Sequence, residues 1–252
     1  MTAPPDSIRL RPLTGLPEIE AGADLAELLR ASARRGGFEL RDGALVLCQK
    51  VVSKAEGRVL SLAEITPSDE AKRIGEADDK DPRLVELVLR ESVRIVRHAR
   101  GVMICETRHG FVCANAGIDQ SNAPGHDTAI LLPLDPDESA AKLRRTLLGA
   151  AEAPLAVVIS DTFGRPWRDG LVDVALGSAG FAPIDDRRGG VDRAGRELQV
   201  TATATADQLA AAAGMLMPKD SGVPAVWITG VPIVGDGCIR ETLRRPDEDL
   251  FR

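Results

Sequence analysis

Strand-like and helix-like runs in mixed order, an apolar fraction large enough for a packed core, and the lack of a nucleotide-binding glycine signature predict an α+β protein. It is expected to be built on mixed β-sheets with helices, and not on a P-loop or Rossmann fold. The runs do not alternate strictly from strand to helix, which disfavours a doubly wound parallel sheet. Apolar residues make up 44% of the 252 positions, ample for one large domain or two small ones. GxxxxGK[ST] is missing, and the Gly36-Gly37 pair follows a helix-like segment where a dinucleotide fingerprint would follow a strand.

Ile8 to Leu13 reads as a first strand, and Ala23 to Ala33 has apolar residues at helical spacing. Ala44 to Val52 is a second strand and Arg58 to Ser61 a short third. Pro67 and Ser68 give a start signal for a helix over Ser68 to Glu76, and a further helix is expected over Pro82 to Leu89. A β-rich middle follows over Val93 to Val96, Gly101 to Glu106, Phe111 to Asn115 and Thr128 to Leu134. Asp135 and Pro136 supply a capping acid and a proline at the first helical position, leading into Ser139 to Gly149. Leu155 to Ser160 is expected as a strand, Gly170 to Ala179 as a helix, and Val191 to Glu197 as a polar loop. Val200 to Thr205 alternates as a strand should, Asp207 to Leu216 is an alanine-rich helix, and Ala225 to Val231 is a closing strand.

The charge balance excludes several functions. Thirty-eight acids against 32 bases leave a net charge of -6 with both signs mixed along the chain, so no basic stripe points to nucleic acid. Aromatic residues are only 3%, too few for platforms that stack bases. The start MTAPPDSIRLRPL lacks the apolar core of a signal peptide, and no apolar run approaches the roughly 20 residues that cross a bilayer. A cytoplasmic location without a membrane partner is therefore expected. Cys48, Cys105, Cys113 and Cys238 show no metal-ligand spacing and read as small buried thiols. Cys105 and Cys113 flank the expected hairpin tip at 108–110 and are placed to face each other. His98, His109 and His126 are scattered, which gives little support to a zinc site or a histidine triad.

Three polar clusters carry the candidate chemistry. In VISDTFGRPWRDG (158–170) an apolar strand breaks into Asp161 and Thr162, which offer oxygen ligands for a hard divalent cation at the mouth of a sheet. Arg165 and Arg168 follow, as forked donors to phosphate or carboxylate or, equally, as surface salt-bridge partners around Trp167. In GIDQSN (117–122), Asp119 is a second acid with Ser121 and Asn122 beside it, although the same pattern also makes an ordinary turn. In QKVVSKAEG (49–57), Lys50 and Lys54 leave the second strand; such lysines are usually solvated, but beside a metal-phosphate site Lys54 becomes a partner for phosphate.

Taken together, LTGLPEI (13–19), QKVVSKAEG (49–57), ETRHGFVCANAGIDQSN (106–122) and ISDTFGRPWRDG (159–170) resemble, in order and spacing, the coenzyme F420-0:L-glutamate ligases, or γ-glutamyl ligases. The resemblance covers residues 8–232, the expected ligase domain, leaving 233–252 as a C-terminal extension. It implies that fold, a GTP-dependent amide bond between L-glutamate and the carboxylate of coenzyme F420-0, Mg2+ or Mn2+, a stimulating K+ in some members, and a homodimer. It implies that Asp119, Asp161 and Thr162 hold metal, and that Leu16, Pro17, Glu18, Ile19, Gln49, Lys54 and Asn122 contact GTP. Arg165 and Arg168 are then candidates for the cationic rim that meets anionic F420-0 and glutamate.

The chain also departs from the family. Many members of the family it resembles have glutamate and then an acidic residue where VTATATADQ (200–208) offers Ala202 and Gln208, and archaeal members have a Met-Gly-Gln segment where this chain has Met217-Pro218-Lys219. A charged lysine cannot ligate a metal, so Lys219 is expected to meet a phosphate or a substrate carboxylate. These departures leave open an amide ligase of the same architecture with a different acceptor or amino acid; a non-catalytic nucleotide binder is disfavoured by the pair Asp119 and Asp161.

Overall fold

The apolar runs GALVLC, LAVVIS and AVWIT contain no charged residue, and in the computed structural model, which describes residues 6–125 and 127–249, they form the buried centre of one sheet. In chain order the first half comprises β1 (Arg9–Leu13), α1 (Leu25–Arg35), β2 (Gly43–Cys48), α2 (Gln49–Ala55), β3 (Val59–Ser61), α3 (Asp69–Asp78) and α4 (Pro82–Glu91). β4 (Ser92–Ala99), β5 (Val102–Thr107), β6 (Val112–Ala114) and β7 (Thr128–Ile130) follow. The second half comprises α5 (Pro136–Leu148), β8 (Leu155–Arg165), β9 (Arg168–Ala179), β10 (Ile184–Asp186), β11 (Ala202–Ala204), α6 (Thr205–Gly214) and β12 (Ala225–Thr229).

The main sheet runs β1-β12-β2-β8-β9. Only β2 and β8 are parallel, and the other pairs are antiparallel, so the sheet is mixed as expected. Leu45, Leu47, Val157, Ile159 and Trp227 point to one face, where they meet Leu29 of α1 and Leu143 of α5. Ala44, Val46, Val158, Val226 and Ile228 point to the other, against Leu209, Ala210 and Ala213 of α6. Covering both faces is what allows these strands to be apolar throughout instead of alternating. A second body stacks the β4-β5-β6 sheet on α3 and α4 through Met103, Cys105, Ile74 and Val88, next to the β3-β7 pair. Cys105 and Cys113 are register partners in it, as expected, and both are free thiols. The chain after β12 returns to the core: Ile239 is buried, and its backbone N–H donates to Asp137 Oδ1 of α5 at 2.9 Å.

Three expectations are corrected. The second strand stops at Cys48, where its pairing with β8 ends opposite Ser160, and residues 49–52 instead open α2, with Gln49, Val52 and Ser53 turned inward. Residues 170–179 are strand, not helix. The run satisfies helical spacing, but the turn before it sends the chain straight back along β8: Pro166 sits at the first central position and Trp167, at φ 60°, at the second. The third correction follows: β8 does not finish at Ser160 but continues to Arg165, and from Asp161 onward it pairs with β9 alone as a two-stranded arm. The short β10 had no signal of its own and forms by pairing with β11.

Candidate active site

The parallel pair β2 and β8 ends at Cys48 and Ser160, and ligands in sheets of this kind bind beyond the carboxyl ends of parallel strands. A cavity of about 800 Å3 opens there. Its walls come from residues 16–19, the junction of β2 and α2, residues 113–124, the base of the β8-β9 arm, and residues 217–224.

Asp161 lies on the cavity surface where β8 leaves the sheet. Burial pushes its carboxyl up to about 7, with the charges of Asp119 and Asp173 adding to the rise against a backbone hydrogen bond from Thr162 and the charge of Lys50. Asp173, which sequence reasoning missed because its segment was read as helix, is the register partner of Thr162 and accepts that residue's hydroxyl proton at 2.6 Å. Asp161, Thr162 and Asp173 all line the cavity.

Asp119 faces them from the 113–124 wall, fixed by the bridge between its backbone and Ile130. Its Oδ1 accepts the Ser121 backbone N–H at 2.7 Å, and its Oδ2 accepts the Ser121 hydroxyl at 2.8 Å. Lys50 Nζ lies 2.7 Å from the same Oδ2. Burial works to raise the Asp119 carboxyl, but the hydrogen bonds from Lys50 and Ser121 outweigh it and hold the group below the ordinary carboxylate range. Lys50 is thus a buried site residue and not the solvated lysine expected from its place after a strand. The signal was present in the spacing: Lys50 and Lys54, four residues apart, share one face of a helix. Lys219 Nζ is 4.0 Å from Asp119 Oδ2, and Asn122 Nδ2 donates to the Lys219 carbonyl at 3.4 Å.

Lys54 is buried and pairs with the Glu18 carboxylate, while Leu16, Pro17 and Ile19 complete that wall. Gln49, by contrast, is fully buried and turned to Ser53, whose hydroxyl donates to it at 2.8 Å, and it does not line the cavity. Arg165 and Arg168 are not brought to the cavity wall either. They sit at the tip of the arm, where the Arg165 guanidinium donates to the carbonyls of Asp169 and Gly170. Of the two departures seen in the sequence, Met217-Pro218-Lys219 lies in the cavity wall, whereas Ala202 is on β11 and is not part of it.

The donor chemistry suits a hard divalent cation. Two carboxylates and a hydroxyl converge from separate segments, and a half-buried carboxyl crowded by like charges is relieved by a cation. Among the described residues no three of the His, Cys, Asp and Glu side chains close into a cage by themselves, so substrate oxygens and water would complete the coordination. Cys48 and Cys113 border the cavity, but burial pushes their thiols up to about 11 and about 12, which keeps them protonated and inert. His109 Nε2 donates to the Pro133 carbonyl, His98 pairs with Asp78, and His126 lies outside the described residues. No helix among the described residues is long and apolar enough to cross a membrane.

Carboxylates thus face buried ammonium groups across one cavity, and comparison with known proteins gives the class of the protein: it is a ligase. Residues 15–230 match the family model described as F420-0:Gamma-glutamyl ligase, and the chain belongs to that family. It is 50% identical over 250 residues to the coenzyme F420:L-glutamate ligase of Methanothermobacter thermautotrophicus, covering 97% of this chain and 99% of the relative. Proteins of the same name from Methanopyrus kandleri and Archaeoglobus fulgidus are 45% and 41% identical, with 98% and 97% of this chain covered and 98% and 96% of theirs.

Proposed function

We propose that the chain joins the amine of L-glutamate to the tail carboxylate of coenzyme F420-0 at the expense of GTP. The observation that carries this reading is the convergence of Asp119, Asp161 and Thr162 with the ammonium groups of Lys50, Lys54 and Lys219 on one cavity. Oxide is too poor a leaving group for an amine to displace it from a carboxylate directly. A carboxylate oxygen of F420-0 therefore attacks the γ-phosphorus of GTP, and GDP departs. The glutamate nitrogen then attacks the acyl carbon, loses a proton, and inorganic phosphate leaves with that same oxygen.

Such phosphoryl transfer needs positioning and charge neutralisation above all. Mg2+ or Mn2+ held by Asp119, Asp161 and Thr162 would neutralise the phosphate oxygens. Lys54, poised against Glu18, and Lys219 serve the triphosphate and the substrate carboxylates, and Leu16, Pro17, Ile19 and Asn122 shape the nucleotide wall. Gln49 acts through the inner face of α2. Arg165 and Arg168 are read as cations carried by the arm to a second copy in a homodimer, a reading supported by the exposed Leu171 beside them. The product carries a free γ-carboxylate, so further γ-linked additions are chemically open to the same site.

Met217-Pro218-Lys219 in the cavity wall also favours a second reading, an amide ligase of the same architecture with another acceptor. Incubation with GTP, Mg2+ or Mn2+, glutamate and F420-0, followed by mass spectrometry, decides. A product heavier by one glutamyl residue with stoichiometric GDP supports the first reading, and unchanged F420-0 beside intact GTP rejects it.

A further inference from the structure

Lys50 has no part in the site as read from the sequence, yet it is only 8% exposed and ends on the cavity surface. Its three ammonium protons meet three protein oxygens: Asp119 Oδ2 at 2.7 Å, the Ser121 hydroxyl at 2.5 Å and the Ser121 carbonyl at 3.1 Å. Asp119 Oδ2 is thereby shared between Lys50 and Ser121, although Asp119 lines the cavity that a cation would enter. Burying an ammonium is costly unless it is paired, and this pairing is with a carboxylate that a metal would also claim.

We propose that Lys50 is an internal counter-cation, a positioning residue that holds Asp119 in place and competes with the divalent ion for the same carboxylate oxygen. The proposal rests on the metal assignment made under Proposed function. Lys50 sets the affinity for the ion, and its ammonium, once displaced from Asp119, becomes free to meet an anionic substrate oxygen. A lysine that only braced the 119–122 loop would have the opposite signature, since its loss would disorder Asp119 and weaken metal binding.

The test is Mn2+ binding to the substrate-free protein by electron paramagnetic resonance, with the ligation rate measured in parallel. Lys50→Gln is expected to bind Mn2+ about tenfold more tightly (about 1.4 kcal/mol) and to ligate more slowly. Lys219→Gln, which removes a charge 4.0 Å from the same oxygen, is expected to change the affinity much less. Unchanged or weaker Mn2+ binding by Lys50→Gln, or equal tightening by Lys219→Gln, overturns the proposal while leaving the metal assignment standing. If the wild type binds no Mn2+, or Asp119→Asn binds it equally well, the metal assignment itself fails and the proposal with it. Should Lys50→Gln not fold, nitrogen-15 spectra of the wild type supply the answer. The ammonium resonance missing from Lys50→Arg should shift when Mg2+ is added, and an unmoved resonance at saturating Mg2+ refutes displacement.

Discussion

Thr162 donates its hydroxyl proton to Asp173 Oδ1 at 2.6 Å, across directly opposed positions of β8 and β9. With the proton committed to Asp173, the lone pairs of the Thr162 oxygen remain for a ligand. Asp173→Asn weakens this, because a neutral amide oxygen is a poorer acceptor than a carboxylate and holds the hydroxyl proton less firmly away from the cavity. We expect Asp173→Asn to weaken Mn2+ binding by about tenfold, the size typical of an outer-sphere partner, with little change in Tm. Isothermal titration with Mn2+ checks it, and wild-type affinity would remove Asp173 from the site.

Asp161 is a half-buried carboxyl group held near the charges of Asp119 and Asp173. Its neutral isostere removes that repulsion, so Asp161→Asn should melt above the wild type in EDTA at neutral pH. The same variant should lose ligation and the rise in Tm that divalent ions give the wild type. A lower Tm in EDTA, or normal turnover, contradicts the placement.

Gly177 separates the strand and helix readings of residues 170–179 by sign. In an exposed helix Gly→Ala would add up to about 1 kcal/mol of stability. In β9 a Cβ at this position would overlap the Pro136 carbonyl at the start of α5. Gly177→Ala is therefore expected to lower stability by about 2 kcal/mol, roughly 4–8 °C in Tm. Calorimetry showing a higher Tm would contradict the packing of α5 on this strand.

Glu86 ties two helices together. It accepts the Ser68 backbone N–H at the start of α3 at 2.9 Å and pairs with Arg90 at 2.8 Å. The hydrogen bonds from Ser68, with Arg90 adding, lower its carboxyl to about 2. The folded value lies below the unfolded one, so the stabilisation is full above pH of about 4.5 and disappears as pH falls toward about 2. Glu86→Gln should cost about 2 kcal/mol at pH 7 and progressively less below about 4. Equal costs at both pH values in urea titrations would show that packing, not ionisation, is at stake.

Much of this was legible in the chain. Aspartate and proline at 135 and 136 announce α5, with Asp135 Oδ1 accepting the Glu138 N–H as a cap. Asp119 and Asp161 were singled out from local pattern and Lys219 from the family resemblance, and the three do share one cavity. What was not legible depended on partners far away in sequence. LVDVALGSA fits either period, and only the long antiparallel pairing with β8 decides it, which in turn hid Asp173. Lys50 looked solvated because its partners, Asp119 and Ser121, come from the distant 113–124 wall. The arginines follow Asp161 closely in sequence, but β8 continues past Ser160 and carries them to the tip of the arm, away from this cavity's wall.

The central claim is that the acceptor carboxylate is phosphorylated before glutamate attacks it. F420-0 labelled with oxygen-18 in that carboxylate tests it most directly, by mass spectrometry of the inorganic phosphate released in one round of ligation. The account predicts one labelled oxygen in each phosphate formed per amide bond. Unlabelled phosphate from a reaction that still yields the glutamyl product would contradict it.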